Sequence, residues 1–220
     1  MDKTESEIAL EEFCDANGIH WERIPTEDAA GLKTPDYYIY SFGEQVAAEV
    51  KEIQPSPDER EQERHLKEKG WSTFGATPGA RARAIIGTAG KQLRAKAKGT
   101  CPAMVVLYNP SFLLRHHTEP YAIRVAMYGL DAVVLGLPAD MQQSPYLIDR
   151  KSGPKRKMTE EHNTSISAVA ALQGRELWIY HNVFAAIPLK PGLFRGLPVR
   201  QFTLQEKRTG EFSEWKEIVF

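Results

Sequence analysis

The segment from Thr34 to Ile53 constrains the fold more tightly than any other stretch of this chain. Tyr37 to Phe42 is aromatic and β-branched, Gln45 to Ile53 is rich in alanine and valine, and Gly43-Glu44 between them allows only a tight connection. Two strands joined so briefly form an antiparallel hairpin. Alternate residues of a strand share a face, so Val46, Ala48 and Val50 make one apolar face while Glu49 and Lys51 project together from the other. Asp36 precedes the first strand, where pairing brings its carboxylate toward Glu49. An exposed ion pair on a surface hairpin would contribute at most about 1 kcal/mol. The run Val46-Ala47-Ala48-Glu49-Val50 reads instead as a largely buried strand, in which an uncompensated glutamate is costly.

Two carboxylates at close range repel unless a cation sits between them, and hard divalent cations such as Mg²⁺ take oxygen ligands. The pattern therefore asks for a metal at Asp36 and Glu49, with Mn²⁺ as a substitute. A metal so held can bind a scissile phosphate, lower the pKa of a water and neutralise a leaving oxygen. Lys51, on the same face as Glu49, is suited to orient the attacking water or to stabilise an anionic transition state.

Around this hairpin the chain reads as alternating elements. Residues 5 to 17 hold helix formers, and Gly18 stands where a C-terminal cap belongs. On that helix Ala9, Leu10, Phe13 and Cys14 share a face, and Glu7 borders it. Ile19 to Ile24 is a short strand, followed by a turn-like stretch through Gly31 and Thr34-Pro35. Residues 54–79 form an excursion punctuated by prolines and glycines, with room for one short helix. Arg81 to Ala97 is helical with an Ile85, Ile86, Ala89 and Leu93 stripe, and Ala103 to Tyr108 is a continuous apolar run of buried-strand type. Tyr121 to Met127 fits helix or strand. Ala132 to Leu135, Ser165 to Leu172 and Leu177 to Phe184 read as strands, and Lys151 to Lys157 as a basic loop.

The chain of 220 residues carries a formal net charge of −1, so global charge gives no argument for a polyanionic partner. Local charge does: Arg81, Arg83, Lys91, Arg94, Lys96 and Lys98 fall in a stretch with no acidic residue, and Lys155-Arg156-Lys157 add a second cluster. Such residues make phosphate contacts. The longest apolar runs fall far short of the roughly 20 residues that cross a bilayer, and the acidic, polar start does not read as a secretory signal. The expectation is a cytoplasmic protein without membrane spans, with Cys14 and Cys101 as reduced thiols. No nucleotide cofactor is expected, since Gly87-Thr-Ala-Gly-Lys91 lacks phosphate-loop spacing. The histidines show no zinc spacing, and the neighbours His116 and His117 would point apart on a regular element, so loop or core positions are expected for them.

Pro35-Asp36, a 12-residue gap and Glu49-Val50-Lys51 resemble the PD-(D/E)XK nuclease superfamily. The resemblance covers about half the chain. It implies an α/β fold with a central mixed sheet flanked by helices: a restriction-endonuclease-like αβββαβ core over residues 5–110, an insertion near 54–79, and 111–220 as a C-terminal extension of one nuclease domain that adds strands or grips DNA. It implies hydrolysis of DNA phosphodiester bonds with Mg²⁺. Glu7 matches an additional acid that superfamily members carry on the first helix, with Glu11, about 40° further from the core stripe, as the alternative. Gln92 matches a polar residue that the second helix turns toward the site. A homodimer is compatible with the resemblance. Two rival readings stand beside it: a nucleic-acid-binding module of this fold that does not cut alone, and a structural or interaction protein in which the triad is accidental.

Overall fold

The computed structural model describes residues 3–25, 35–73, 75, 77–97, 100–138, 140, 142–152, 155–208, 211–212 and 214–220, with side chains for all of these except 95–97, 112, 131, 150–152, 206–208 and 211–212. The stretch 26–34 and the side chains of Lys96 and Lys98 lie outside the described residues. Helix α1 spans Glu5–Ala16, and strands β1 (His20–Arg23), β2 (Tyr37–Ser41) and β3 (Glu44–Glu52) follow. The connection from β3 contains α2 (Pro57–Lys69) and α3 (Ala80–Ala97) and leads to β4 (Ala103–Tyr108). After a 3-10 turn at Phe112–His117 come α4 (Pro120–Tyr128), β5 (Asp131–Gly136), β6 (Tyr146–Ser152), β7 (Ala168–Gln173) and β8 (Glu176–His181). Beyond a second 3-10 turn at Pro191–Phe194 lie β9 (Val199–Thr203), β10 (Glu206–Arg208), β11 (Glu211–Phe212) and β12 (Lys216–Glu217).

Among the described residues the main sheet has the strand order β1-β2-β3-β4-β7-β8-β9-β12. It is mixed: β1, β2 and β3 form an antiparallel meander, whereas β3, β4 and β7 run parallel. Alternation along the central strands divides the core. Ala47, Val105, Leu107, Val169 and Ala171 face α3 and α4, which contribute Ile86, Leu93, Ile123 and Met127. Val46, Ala48, Val50, Met104, Val106 and Ala170 face α1, with its Leu10, Phe13 and Cys14, and the turn at Leu193 and Phe194. Central strands apolar on both faces are what parallel strands covered by helices require. The molecule is thus an α/β fold with a mixed sheet flanked by helices.

Local signals explain most boundaries. Thr4 and Glu7 form a reciprocal capping box at the start of α1, and Gly18 follows its end with a φ of +64°. The β2–β3 hairpin turns on Phe42 and Gly43, with φ of 47° and 77°, as a two-residue loop whose twist matches that of the strands requires. The connection is thus one residue earlier than Gly43-Glu44. The excursion after β3 holds a longer helix than expected, because Ser56 and Glu59 build a second capping box and Gly70 closes α2 in the left-handed region. Gly79, at φ +70°, leads into α3 where any Cβ would stand 2.5 Å from the Ala122 carbonyl oxygen.

The second half departs further from expectation. Tyr121 to Met127 belongs to a helix, buried from Ala122 onward. The basic stretch expected as a loop from Lys151 begins inside β6, which pairs with β5 as a separate two-stranded ribbon. Strands expected at 165–172 and 177–184 are present as β7 and β8, displaced toward 168–173 and 176–181, and both join the main sheet. Ser165 to Ser167 instead feed β7: the Ser167 hydroxyl accepts from the Ala103 N–H and donates to the Ile187 carbonyl, tying the strand entrance to its neighbours.

Candidate active site

The meander brings Asp36, Glu49 and Lys51 together at one end of the sheet. Antiparallel pairing sets Tyr37 opposite Ala48 and so leaves Asp36 opposite Glu49, beyond the last strand residue. The Asp36 backbone N–H still bonds the Ala48 carbonyl at 3.1 Å, and its Oδ2 accepts from the Val50 N–H at 2.8 Å. Asp36, immediately before β2, extends the pairing by using its side chain as a backbone substitute, which fixes the carboxylate in place. Glu49 is fully buried on the α3 face, and Lys51 Nζ stands 2.5 Å from its Oε1 and 3.8 Å from Asp36 Oδ2. The ammonium bridges the two acids.

Burial pushes the Asp36 carboxyl above its ordinary range, while the Lys51 charge and the Val50 N–H pull it down and the Glu7 charge adds to the rise. Two acids sharing a poorly solvated end of a sheet stay ionised together only with a cation beside them. Lys51 supplies one positive charge against two carboxylates. The donors are oxygens, and Asp36 and Lys51 are 23% and 33% open to solvent, so a hard divalent ion fits this set chemically.

Glu7 lies at the same end but is committed elsewhere. Its carboxylate accepts from the Thr4 N–H at 2.7 Å and pairs with Arg23 at the end of β1. Glu11, the alternative acid, is buried more deeply than Glu7: it accepts from the Tyr37 hydroxyl at 2.8 Å and from Lys3 at 2.5 Å. A helical wheel could not foresee this, because Tyr37 reaches from the neighbouring strand to solvate Glu11. Gln92 is half-buried, on the flank of α3 that also carries Ile85 and Arg81. Arg81 donates to the carbonyl of Gln54, just past β3. Gln92 lies about three helical turns beyond Arg81 on α3, the helix that packs against β3.

The basic residues divide. Arg81 is held by Glu59 at 2.6 Å and by the Gln54 carbonyl, so it fastens α2 to α3. Lys91 and Arg94 are exposed and Arg83 is half-buried on the opposite flank of α3 from Gln92. Lys157 lies against that flank, its Nζ 3.2 Å from where a Gly87 Cβ would be, so the two basic segments meet. Lys155 is exposed and Arg156 half-buried beside it.

Cys14 and Cys101 are free thiols, and burial pushes the Cys14 thiol up to about 12. Among the described residues no helix is long and apolar enough to cross a membrane. The adjacent histidines depart from expectation: on the 3-10 turn the His116 and His117 rings lie 4.1 Å apart rather than diverging, and His117 reaches Glu59 at 2.7 Å. A His-His pair was visible in the sequence, but its partner is 58 residues away. No family model, curated protein or solved structure matches the chain.

Proposed function

We propose that this protein is a divalent-metal-dependent nuclease that hydrolyses the phosphodiester backbone of DNA, with the PD-(D/E)XK type of site formed by Asp36, Glu49 and Lys51. One observation carries the reading: a buried glutamate and a partly buried aspartate on paired strands share a single lysine, at 2.5 and 3.8 Å. The order helix, three-stranded meander, helices and parallel strand over residues 5–108 supports it.

In this reading Asp36 and Glu49 hold Mg²⁺, or Mn²⁺ in its stead, and Glu7 assists once released from Arg23. The ion would supply Lewis acidity at the scissile phosphate and lower the pKa of a water. Lys51 Nζ donates to the attacking water or to a phosphate oxygen, which favours the more negative transition state over the ground state. Water attacks phosphorus and gives up a proton to solvent, the P–O ester bond breaks, and the leaving oxygen takes a proton from solvent. Gln92, on the α3 flank that carries Arg81, donates to a phosphate oxygen, and Arg83, Lys91, Arg94 and Lys155–Lys157 hold the flanking backbone.

The test is incubation of the purified chain with plasmid, linear and single-stranded DNA, and with RNA, in Mg²⁺, Mn²⁺ or EDTA. Metal-dependent cutting that disappears in Lys51→Ala supports the nuclease. Salt-sensitive binding without cutting would instead mark a binding module that needs a partner to cut. Neither cutting nor binding would leave the triad a structural ion-pair cluster.

A further inference from the structure

Glu59, His116 and His117 form a second cluster of ligand atoms, apart from the triad. Each offers one donor atom, and these lie within 4.8 Å of one another. Glu59 belongs to the first turn of α2 and the histidines end the Phe112–His117 turn. We propose that these three residues bind a divalent transition ion of the zinc class, a site separate from the proposed nuclease centre.

Three features point to an ion. The His116 Nε2 is buried and has no hydrogen-bond partner among the described residues, which is costly for a polar atom unless something occupies it. The Glu59 carboxylate has two different sides: Oε2 is taken by the Ser56 N–H and Arg81, while Oε1 meets His117 among the described residues. An open cavity of about 260 Å³, lined by Asp58, Glu59, Gln62, Thr77, Arg81 and His117, adjoins Glu59 and His117 and can admit water as a further ligand.

Burial lowers the His117 pKa despite its bond to Glu59. Burial raises Glu59, but the Ser56 and His117 hydrogen bonds and the Arg81 charge outweigh it and hold the carboxyl down at about 2. On binding, the His117 proton would shift from Nε2 to Nδ1 by exchange with solvent, freeing Nε2, and Oε1 and both imidazoles would close on the ion. The nearby Arg81 charge opposes any cation, so affinity must come from nitrogen donation. That selects Zn²⁺, Co²⁺ or a similar ion over Mg²⁺. Bound there, the ion would brace the connection that follows β3, the strand carrying Glu49 and Lys51.

The test uses the full chain carrying Asp36→Asn, so that the triad does not contribute a second site, stripped with a chelator and titrated with Co²⁺ and then Zn²⁺. Expected are visible d–d absorption saturating at one Co²⁺ per chain, its displacement by Zn²⁺ but not by excess Mg²⁺, and a Zn²⁺-induced rise in Tm. His116→Ala removes a nitrogen that no described hydrogen bond uses, so the fold persists. It should weaken Zn²⁺ binding by more than the roughly tenfold that even an outer-shell ligand partner is worth. His117→Gln should do the same. Absence of Co²⁺ absorption, or binding unchanged in both histidine variants, overturns the proposal.

Discussion

Replacing Lys51 with methionine keeps most of the side-chain volume and deletes the charge that Glu49 meets at 2.5 Å. Removing one member of a buried ion pair costs roughly 3–5 kcal/mol, because the other charge stays desolvated. A second route limits the loss, since the carboxyl can take up a proton. At pH 7 that costs about 1.36 kcal/mol for each unit above an ordinary glutamate pKa near 4.3, or about 4 kcal/mol in all. Lys51 is 33% open to solvent, so water replaces part of what the ammonium supplied, and the expected loss lies near the lower bound, about 3 kcal/mol. The sign with pH follows. In the variant the folded-state pKa of Glu49 rises above its unfolded value, so the penalty is full at high pH and fades as pH falls toward the unfolded value, to about 1 kcal/mol at pH 5. Urea unfolding in EDTA at pH 7 and pH 5 measures both numbers, and adding Glu49→Gln to the variant should recover at least half of the loss at pH 7. A loss below about 1 kcal/mol at pH 7, the value of an exposed pair, or an equal loss at both pH values, would refute the reasoning.

Asp36→Asn retains the oxygen that accepts from the Val50 N–H, so its urea midpoint should stay near wild type while metal-dependent plasmid cutting falls by on the order of a hundredfold or more. Because burial raises the Asp36 pKa, protons compete with Mg²⁺ there, and the Mg²⁺ concentration for half-maximal cutting should climb as pH drops through that raised value. Glu59, depressed from 4.5 to about 2, contributes about 3 kcal/mol that is fully present above pH 4.5 and lost as pH falls toward 2; the acid limb of a stability–pH curve should flatten in Glu59→Gln. Gly79→Ala forces a Cβ to 2.5 Å from the Ala122 carbonyl at a φ of +70°, and thermal unfolding should show a loss of more than about 1 kcal/mol from the backbone conformation alone, with more from the clash.

Local chemistry made the first half of the chain readable. The β2–β3 hairpin, the shared face of Glu49 and Lys51, the helix ahead of Gly18 and the buried strand at Ala103–Tyr108 follow from periods of 2 and 3.6 and from glycine at positive φ, which act between near neighbours. Those same rules juxtaposed Asp36 and Glu49, because a two-residue turn leaves little freedom of register. Whatever depends on distant partners was decided by the tertiary structure. Glu11 is buried because the Tyr37 hydroxyl reaches it, Arg81 is drawn from a basic stripe by Glu59, and Lys157 comes to rest on Gly87. β7 became a sheet strand through pairing with β4, and β8 through pairing with β7. His116 and His117 converge near Glu59 because a 3-10 turn docks against a helix start 58 residues away. Periodicity states which side of an element is apolar; only packing states which polar groups share a dry space, and there the energy of each depends on the others.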